Sequence, residues 1–384
     1  MTFGLNDDQR QIQDLIRRVA REKIAPRAQE IDATGEYPHD MFELLKELGL
    51  FTLPFPEQYG GTGSMLSACV TVEELCRVCY NTAYLLVVQW LPFSAILAGG
   101  SDEQKARYLP GLASGALRAA FSTTESQSGS DVAGIRTRAK RVDGGYSITG
   151  SKIWCTNAAM ADFILVAAKT GDQERGQINL FIVEKDTKGF EISPKEDKMG
   201  ARGVPSSTLY FDDVFVPTDA RLGPEEGGWK IVMEAFNKSR PVIGARGVGL
   251  AQGALDHALA FINDRKAFGQ TISDFQGVRW MLADMATQIE CSRLLVYRAA
   301  AAADAGVSGR DLAMMAAMAK LQSADTAMKV ATDAVQLFGA AGISNDSPIN
   351  RYFRDAKVLQ IVEGTSQIQR NIIARQLVQQ SRDG

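Results

Sequence analysis

The sequence predicts an α+β protein in which a small β domain separates two helical domains. Apolar residues recur at helical spacing through residues 1–115, and the same spacing returns over residues 226–384. Residues 116–225 instead contain short runs of β-branched and aromatic residues between Gly, Asp and Asn turns. A chain of 384 residues is long enough to form two or three packed domains around a large core.

The first domain is predicted to be built from helices, and Pro26 and Pro92 are expected to disturb two of them. From Leu5 to Val19, apolar residues recur at helical spacing with charged residues between them, as in a helix with one buried face. Pro26 is expected to interrupt this pattern. Residues 81–98 are nearly all apolar, so they belong in a core or line a pocket. Pro92 is expected to break or kink that segment.

The other two domains are predicted from different periodicities. Residues 163–168, 178–184 and 209–216 are β-rich runs with the spacing of strands and hairpins. Residues 278–305 and 312–337 are long, Ala-rich and helical in pattern. Three or four such helices with short connections form an antiparallel bundle.

Charge and hydropathy exclude several classes of protein. The net charge of −3 argues against nucleic-acid binding, which requires a basic patch or stripe. No apolar run approaches the roughly 18 residues that indicate a membrane span, so no membrane insertion is expected. Residues 1–10 carry acidic side chains and match neither a signal peptide nor a transit peptide. A cytoplasmic location is therefore expected.

The cysteines and histidines do not form a metal or triad pattern. Five cysteines are present, and the Cys76-x-x-Cys79 pair has no second pair or nearby His to complete a zinc site. The two histidines, His39 and His257, are far apart in sequence, so a Ser-His-Asp triad or a His-rich metal centre is hard to build. No metal is expected, and acid–base chemistry is left to carboxylates, Lys, Tyr or a cofactor.

A candidate general base, Glu363, stands in the segment QIVEGTSQIQR of residues 360–370. It follows the apolar pair Ile361 and Val362 and precedes Gly364, whose lack of a side chain allows close approach to the backbone. Poor solvation disfavours a carboxylate and raises its pKa, which suits a general base. A helix end with an ordinary surface Glu has the same local sequence.

Two segments of the β region could contact a heterocycle. Residues 121–134 contain many hydroxyls and two glycines, and can supply backbone and side-chain hydrogen-bond donors. Trp154 and Thr156 are two residues apart, so on a strand they share a face that could cover and bond a ring. A plain polar loop and a β-core Trp are the alternative interpretations.

The order of these motifs resembles the acyl-CoA dehydrogenase family along essentially the whole chain. The matching segments are T-E-x-x-x-G-S-D from Thr124, K-x-W-x-T-N from Lys152, M-G-x-R from Met199, residues 236–241, R-x-x-F-G from Arg265, residues 336–342 and E-G-T-S-Q-I-Q-R from Glu363. In this family the Glu takes the α-proton of an acyl-CoA thioester, so the resemblance implies that role for Glu363.

The resemblance also implies the residues that contact the cofactor and the substrate. FAD is expected to contact Phe121, Thr123, Thr124, Gly129, Ser130, Trp154, Thr156, Arg265, Phe268, Gln276, Gln336, Gly339, Ala340, Thr365 and Gln367. The acyl-CoA substrate is expected to contact Ser130, Asn237, Arg240, Gly364 and Arg375. Arg265 is expected to bind the FAD diphosphate of a neighbouring subunit, because an Arg fork matches phosphate geometry.

Four positions bear on how closely the chain follows the family pattern. Thr123 replaces a more usual apolar residue, Gln127 a small one, and Ala340 the second Gly of Q-x-x-G-G-x-G. Some branches of the family carry their base at the position of Ser239. Because Ser239 cannot act as a carboxylate base, Glu363 is expected to do so.

The resemblance implies a fold and an activity. The fold is a helical N-terminal domain (1–115), a central β domain (116–225) and a C-terminal four-helix bundle (226–384), assembled as a homotetramer. The activity is FAD-dependent α,β-dehydrogenation of an acyl-CoA to its trans-2-enoyl-CoA, with electrons passing to electron-transfer flavoprotein. Alternatives are a flavin oxidase or monooxygenase, a desulfinase or decarboxylating relative, or a catalytically idle scaffold protein.

The acyl group is not fixed by these motifs. Trp90 and Phe93 lie where relatives shape the deep end of the acyl pocket, and their bulk favours a short, branched or cyclic acyl chain. Ordinary core packing explains both residues equally well.

Overall fold

The computed structural model describes residues 4–171 and 177–383. Residues 1–3, part of the N-terminal stretch considered above, and residue 384 lie outside them. Residues 4–114 contain the helices α1 (Asp7–Val19), α2 (Ala25–Thr34), α3 (His39–Glu47), α4 (Met65–Cys76), α5 (Tyr80–Gly99) and α6 (Asp102–Ser114).

Of the two prolines expected to disturb helices, Pro92 does not break its helix, whereas the α-helical pattern is interrupted just before Pro26, as expected. A π-helical turn, Ala20–Ile24, joins α1 to α2, and Pro26 lies in the first turn of α2, where a missing N–H costs nothing. Pro92 lies inside α5, which continues for seven more residues. Helix α5 is also long and apolar enough to cross a membrane, contrary to the expectation that no run has that length, but most of it is buried inside the protein.

The middle of the chain forms one mixed sheet. Its strands are β1 (Ala119–Ser122), β2 (Arg138–Val142), β3 (Gly145–Thr156), β4 (Phe163–Lys169), β5 (Ile178–Glu184), β6 (Phe190–Ile192), β7 (Ser206–Pro217) and β8 (Arg221–Leu222). The described strands follow the order β6-β7-β3-β2-β4-β5-β8, and β1 also pairs in parallel with β4.

Both faces of the sheet are covered, as the alternation of β4 shows. Phe163, Leu165 and Ala167 point into the core that the sheet shares with the helices. Ile164 and Val166 point from the opposite face of the sheet into a second buried core. The unbroken apolar run of this strand therefore reflects burial on two sides.

The C-terminal part is a helical bundle. Helix α7 (Gly228–Asp264) is followed by the hairpin β9 (Lys266–Ala267) and β10 (Gln270–Thr271), then by α8 (Gln276–Asp304), α9 (Gly309–Phe338), α10 (Ala340–Ile343), α11 (Pro348–Leu359) and α12 (Ser366–Asp383). Gly249 brings α7 against α4 so closely that a Cβ would lie 2.2 Å from the Glu73 carbonyl oxygen. Helix α7 thus packs against both the N-terminal helices and α9.

Candidate active site

Glu363 lies in the short link between α11 and α12, with its backbone in the left-handed region at φ 53°. Such a backbone is strained for a residue with a side chain, and the neighbours hold it in place. The carbonyl oxygen of Gly364 accepts hydrogen bonds from Lys320 Nζ at 2.6 Å and from Gln369 Nε2 at 2.9 Å. The Ser366 N–H closes the link by donating to the Gln360 carbonyl at 3.0 Å.

Asp325 of α9 fixes both ends of this link. Its carboxylate accepts hydrogen bonds from the side chains of Gln360 and Ser366, each at 2.9 Å, and from Arg370 at 2.7 Å. Although burial opposes it, these donors hold the pKa of Asp325 below its usual value. Sequence reasoning missed Asp325 because nothing in its local pattern distinguishes it from a solvated helix carboxylate.

The Glu363 carboxyl group is poorly solvated but faces several donors and cations. Burial raises its pKa, while Arg246, Ser239, Lys320 and Arg240 oppose the rise. The Ser239 hydroxyl donates to Glu363 Oε2 at 2.8 Å. A carboxylate in this setting remains ionisable yet more basic than a surface Glu, which is the property of a general base.

Two of the nearby cations are themselves affected by burial. Burial lowers the pKa of Lys320 to about 8 and that of Arg240 to about 10. Arg240 Nη1 donates to Asn237 Oδ1 at 2.6 Å, and Arg240 Nε has no hydrogen-bond partner. The structure therefore brings Asn237, Arg240, Gly364 and Glu363 together. Ser130 and Arg375, also expected to contact substrate, are exposed.

Arg246, a further cation near Glu363, was not among the candidates. It lies two turns after Ser239 in α7, and its side chain is fully buried. Its guanidinium carbon lies 3.7 Å from the ring centre of Tyr84 and 4.3 Å from that of Tyr80, and Nη2 donates to the Tyr80 hydroxyl. The sequence feature that could have identified Arg246 is its position inside the apolar run PVIGARGVGLA, because Arg is rarely buried without a partner.

The polar loop after β1 is braced by a buried ion pair. Lys152 Nζ donates to Glu125 Oε1 at 2.7 Å and to the Thr123 carbonyl at 3.1 Å. Glu125 also accepts from Thr137 N–H at 2.9 Å and from Gln127 Nε2 at 2.6 Å. Although burial opposes it, these partners lower the pKa of Glu125 to about 2. Thr123 and Gln127, which depart from the family pattern, are thus part of this brace.

Trp154 and Thr156 lie beside this loop on β3. A β-bulge between Lys152 and Cys155 gives Trp154 a φ of 59° and turns its side chain outward, so that it is 54% exposed. Cys155 is buried and Thr156 is partly exposed, with its hydroxyl 3.2 Å from Ser206 Oγ. Phe121 packs on Phe236 of α7, with ring centres 5.8 Å apart, while Thr124 and Gly129 lie in the loop itself.

The remaining cofactor candidates fall into two places. Thr365 and Gln367 line a groove of about 260 Å³ beside Asp325 and Arg370. Around the β9–β10 hairpin, Arg265 lies just before β9, Phe268 lies in the turn and Gln276 begins α8. Gln336, Gly339 and Ala340 lie at the end of α9 and the start of α10. Along α9, Gln336 is sixteen residues from Lys320, or about 24 Å at 1.5 Å per residue. This second group is therefore far from Glu363.

Two details of the second group follow from backbone geometry. Phe268 is 94% exposed at a φ of 53°, an unusual arrangement for a large apolar residue. At the end of α9 the positive φ of 60° falls on Gly339, whereas Ala340 begins α10 with an ordinary helical backbone. The alanine in place of the family's second Gly is therefore accommodated without strain.

Of the two residues considered for the acyl pocket, Phe93 packs in the core and Trp90 lines a cavity. Phe93 is fully buried and stacks on Phe55 with ring centres 3.5 Å apart, so it is a core residue. Trp90 donates from Nε1 to the Phe51 carbonyl at 2.9 Å and lines a small cavity between α5 and α7. Ser239 lines the same cavity, which therefore opens towards the hydroxyl that contacts Glu363.

Among the described residues, no group of three or more His, Cys, Asp or Glu side chains could hold a metal ion. Cys69, Cys76, Cys79 and Cys155 are buried free thiols, and Cys291 is an exposed one. Cys76 and Cys79 therefore pack as small apolar residues.

Comparison with known proteins identifies the family. The chain matches models of the acyl-CoA dehydrogenase N-terminal domain over residues 6–116, the middle domain over residues 120–214 and the C-terminal domain over residues 226–378. It is 41% identical over 383 residues to cyclohexane-1-carbonyl-CoA dehydrogenase of Geobacter metallireducens, covering 99% of this chain and 100% of that relative.

Similar solved structures support the same family. Butyryl-CoA dehydrogenase from Megasphaera elsdenii has a TM-score of 0.94 at 37% identity, covering 98% of this chain and 100% of that one. A chain solved in work on the electron transferring flavoprotein of Acidaminococcus fermentans also has a TM-score of 0.94, at 39% identity, covering 98% and 99%. The protein belongs to the acyl-CoA dehydrogenase family. The fold class and the family expected from the sequence are thus confirmed.

Proposed function

We propose that this protein is an FAD-dependent acyl-CoA dehydrogenase in which Glu363 removes the α-proton of the thioester. The observation that carries the proposal is the Glu363 carboxyl group itself: burial raises its pKa, and Ser239 and nearby cations keep it ionisable. A free thioester α-proton is far too weakly acidic for a carboxylate, so the thioester oxygen must be bonded as negative charge develops on it.

A donor for that oxygen is available next to the base. Among the described residues, none accepts a hydrogen bond from the Glu363 backbone N–H, while the Gly364 carbonyl is bonded twice. The left-handed backbone at Glu363 orients this N–H, and Lys320 holds the link rigid. We assign the Glu363 N–H to polarisation of the thioester carbonyl, which makes proton removal by the neighbouring carboxylate possible.

The residues expected to contact FAD fit a flavin nucleotide. Trp154 presents an exposed aromatic face beside the Thr156 hydroxyl, and the buried Ser122 hydroxyl close by has no partner. The groove at Thr365 and Gln367 offers polar groups with an Arg at its edge. When bound, FAD supplies the acceptor for the hydride from the β-carbon. The chain's own part is to hold the ring with Thr124, Trp154 and Thr156 and to exclude water.

The second group of FAD candidates supports binding across a subunit interface. Arg265, Phe268 and Gln336 lie far from Glu363, so one cofactor near Glu363 is not expected to touch them in the same subunit. The almost complete exposure of Phe268 agrees with a partner covering it. We therefore propose that a homotetramer shares its FAD sites between subunits, and that electrons leave to an electron-transfer flavoprotein, as the Acidaminococcus fermentans relative suggests.

The acyl group is proposed to be short or cyclic. Trp90 narrows the cavity that adjoins Ser239, which leaves little depth for a long chain. The named relatives act on butyryl-CoA and on cyclohexane-1-carbonyl-CoA, which are both compact.

The test is anaerobic titration of the purified FAD-loaded protein with butyryl-, octanoyl-, palmitoyl- and cyclohexane-1-carbonyl-CoA, following the flavin absorbance. Reduction by the short or cyclic thioesters is expected. Glu363→Gln should retain FAD and lose nearly all reduction, while Glu47→Gln, at an exposed position of α3, should behave as wild type. Normal reduction of Glu363→Gln would show that another group is the base.

A further inference from the structure

We propose that Arg246 binds an anionic group on the acyl chain, so that the preferred substrates are short acyl-CoA thioesters that end in a carboxylate. The proposal rests on the function proposed above and specifies its substrate class. It is carried by the burial of the Arg246 guanidinium, its unpaired N–H groups and its place one helical turn beyond Val242, which lines the cavity between α5 and α7.

The guanidinium of Arg246 is only partly satisfied. The side chain is fully buried, and both Nε and Nη1 lack a hydrogen-bond partner. Nη2 donates to the Tyr80 hydroxyl, and the ring of Tyr84 lies 3.7 Å from the guanidinium carbon. Aromatic faces attract a cation but accept no in-plane N–H bonds. A buried charge with free donors is unfavourable unless a ligand completes its bonding.

No carboxylate of the described residues lies within 4.0 Å of Arg246. Glu363 is near enough for its charge to interact with Arg246, but the two form no ion pair at that distance. Because Glu363 must remain free to receive the α-proton, a closer ion pair between them would lower its basicity. The free N–H groups of Arg246 are therefore available to another anion.

The cavity geometry indicates where that anion would lie. Val87 of α5 and Val242 of α7 face each other across the cavity that Ser239 also lines. Helices α5 and α7 are antiparallel, because Tyr80 contacts Arg246 near one end of the pair and Gly99 contacts Ile231 near the other. One helical turn beyond Val87 and Val242, the next layer is therefore formed by Tyr84 on α5 and Arg246 on α7. Arg246 is not one of the residues that line the cavity, but it lies in the layer directly beyond Val242 and two helical turns from Ser239.

Tyr84 connects this end of the cavity to the proposed flavin site. Burial raises the pKa of the Tyr84 hydroxyl, and the nearby Arg246 and Thr156 side chains oppose that rise. The reacting α- and β-carbons would lie between Glu363 and the ring held at Thr156. A carboxylate two or three carbons further along the acyl chain would then reach the free donors of Arg246, where a planar guanidinium can bind it through two hydrogen bonds.

The experiment compares thioesters of equal length with the FAD-loaded enzyme. The pairs are glutaryl-CoA with valeryl-CoA and adipyl-CoA with hexanoyl-CoA, and the methyl ester of glutaryl-CoA removes the charge while keeping the carbonyl oxygens. Flavin reduction and kcat/KM are measured anaerobically. In the wild type, kcat/KM for at least one carboxylate member should exceed that of its alkyl partner by tenfold or more, and the ester should behave like valeryl-CoA.

Variants then separate recognition from general effects on the base. Arg246→Gln should lower kcat/KM for the carboxylate thioesters about a hundredfold and that for alkyl thioesters less than tenfold. Arg351→Met, which removes a buried Arg of α11, should leave the ratio unchanged. Equal losses for both members of each pair in Arg246→Gln would mean that Arg246 acts on Glu363 alone, and would overturn the proposal.

Binding measurements keep the two proposals distinct. Glu363→Gln loaded with FAD should bind glutaryl-CoA at least tenfold more tightly than valeryl-CoA in calorimetric titration, whether or not turnover occurs. A wild type that no thioester reduces would refute the proposed dehydrogenation while this binding preference still held. Equal or weaker binding of the carboxylate members, with normal reduction by alkyl thioesters, would refute only the assignment of Arg246. Neither measurement requires Arg246→Gln to fold.

Discussion

Lys320 Nζ donates a 2.6 Å hydrogen bond to the carbonyl oxygen of Gly364, the residue that follows the candidate base. The bond joins the middle of α9 to the link that holds Glu363 in a left-handed backbone. Lys320 is fully buried, and burial lowers its pKa to about 8. The hydrogen bond from this buried Lys320 thus fixes the orientation of the Glu363 carboxyl and N–H groups.

Lys320→Met should therefore lower kcat far more than it lowers stability. Misplacing a reacting group by about 1 Å can cost on the order of a hundredfold in rate. Met fills a similar buried volume to Lys320, and the Gly364 carbonyl keeps its hydrogen bond from Gln369, so little stability should be lost. We expect kcat to fall about 10- to 100-fold with KM changed by less than about threefold, in steady-state assays with an artificial electron acceptor.

The control for Lys320→Met is Lys329→Met on the same helix, where the side chain is 56% exposed and pairs with Asp333. It should change neither kcat nor the midpoint of thermal unfolding. If Lys320→Met lowers the unfolding midpoint sharply and leaves kcat intact, the residue is structural and does not position Glu363.

Ser239→Ala should shift the pH dependence of activity. Glu363 acts as a base only when ionised, so kcat/KM is lost as pH falls through its pKa, which burial already raises. The Ser239 hydroxyl stabilises the carboxylate form by its 2.8 Å bond, and removing it raises that pKa further. The acid limb of the profile should therefore move to higher pH.

For this prediction, Ser292→Ala provides a matched control, because Ser292 is a buried serine of α8 that donates to the Gln288 carbonyl. Its pH profile should coincide with that of the wild type. A Ser239→Ala limb that stays in place, or moves to lower pH, would mean that the titrating group is not Glu363.

Trp154→Ala should weaken FAD binding without destabilising the fold. The side chain is 54% exposed, so little apolar area returns to water when it is removed, yet the proposed site places its face against the flavin ring. We expect the protein to lose FAD on gel filtration, with the urea midpoint of the FAD-free protein unchanged. Trp280→Ala, at a 63% exposed position of α8, is the comparison and should retain FAD.

The fold class could be predicted from the sequence because the helical spacing of the two outer domains is replaced by strand spacing in the middle domain. The β-rich runs at 163–168 and 178–184 correspond to β4 and β5, and the pattern at 312–337 corresponds to α9. Of the two proline expectations, the interruption at Pro26 is confirmed, whereas a break of the helix at Pro92 does not occur. A π-helical turn before Pro26 absorbs the disruption, and packing keeps α5 helical through Pro92.

The site could be predicted only in part. The motif order led to Glu363, and Ser239, Arg240 and Asn237 lie near it as expected. Lys320, Asp325 and Arg246 were not found, because each is brought to the site by helix packing and not by neighbours in sequence. Such contacts between distant turns leave no local pattern, although a lone cation in an apolar helix, as at Lys320 and Arg246, is a signal worth examining.

Asp355→Asn should remove a pH-dependent part of the stability. Asp355 is buried, accepts from the Ala201 N–H at 2.7 Å, and has a pKa that burial raises to about 6 from an ordinary value of 3.8. The protonated form is favoured in the folded state, so its stabilisation is present below about pH 4 and is lost as pH rises through 6. Relative to Asp355→Asn, the wild type should lose on the order of 2 kcal/mol between pH 4.5 and 7 in urea unfolding at fixed protein concentration with excess FAD. Parallel pH dependence of the two proteins would show that Asp355 is ionised throughout this range.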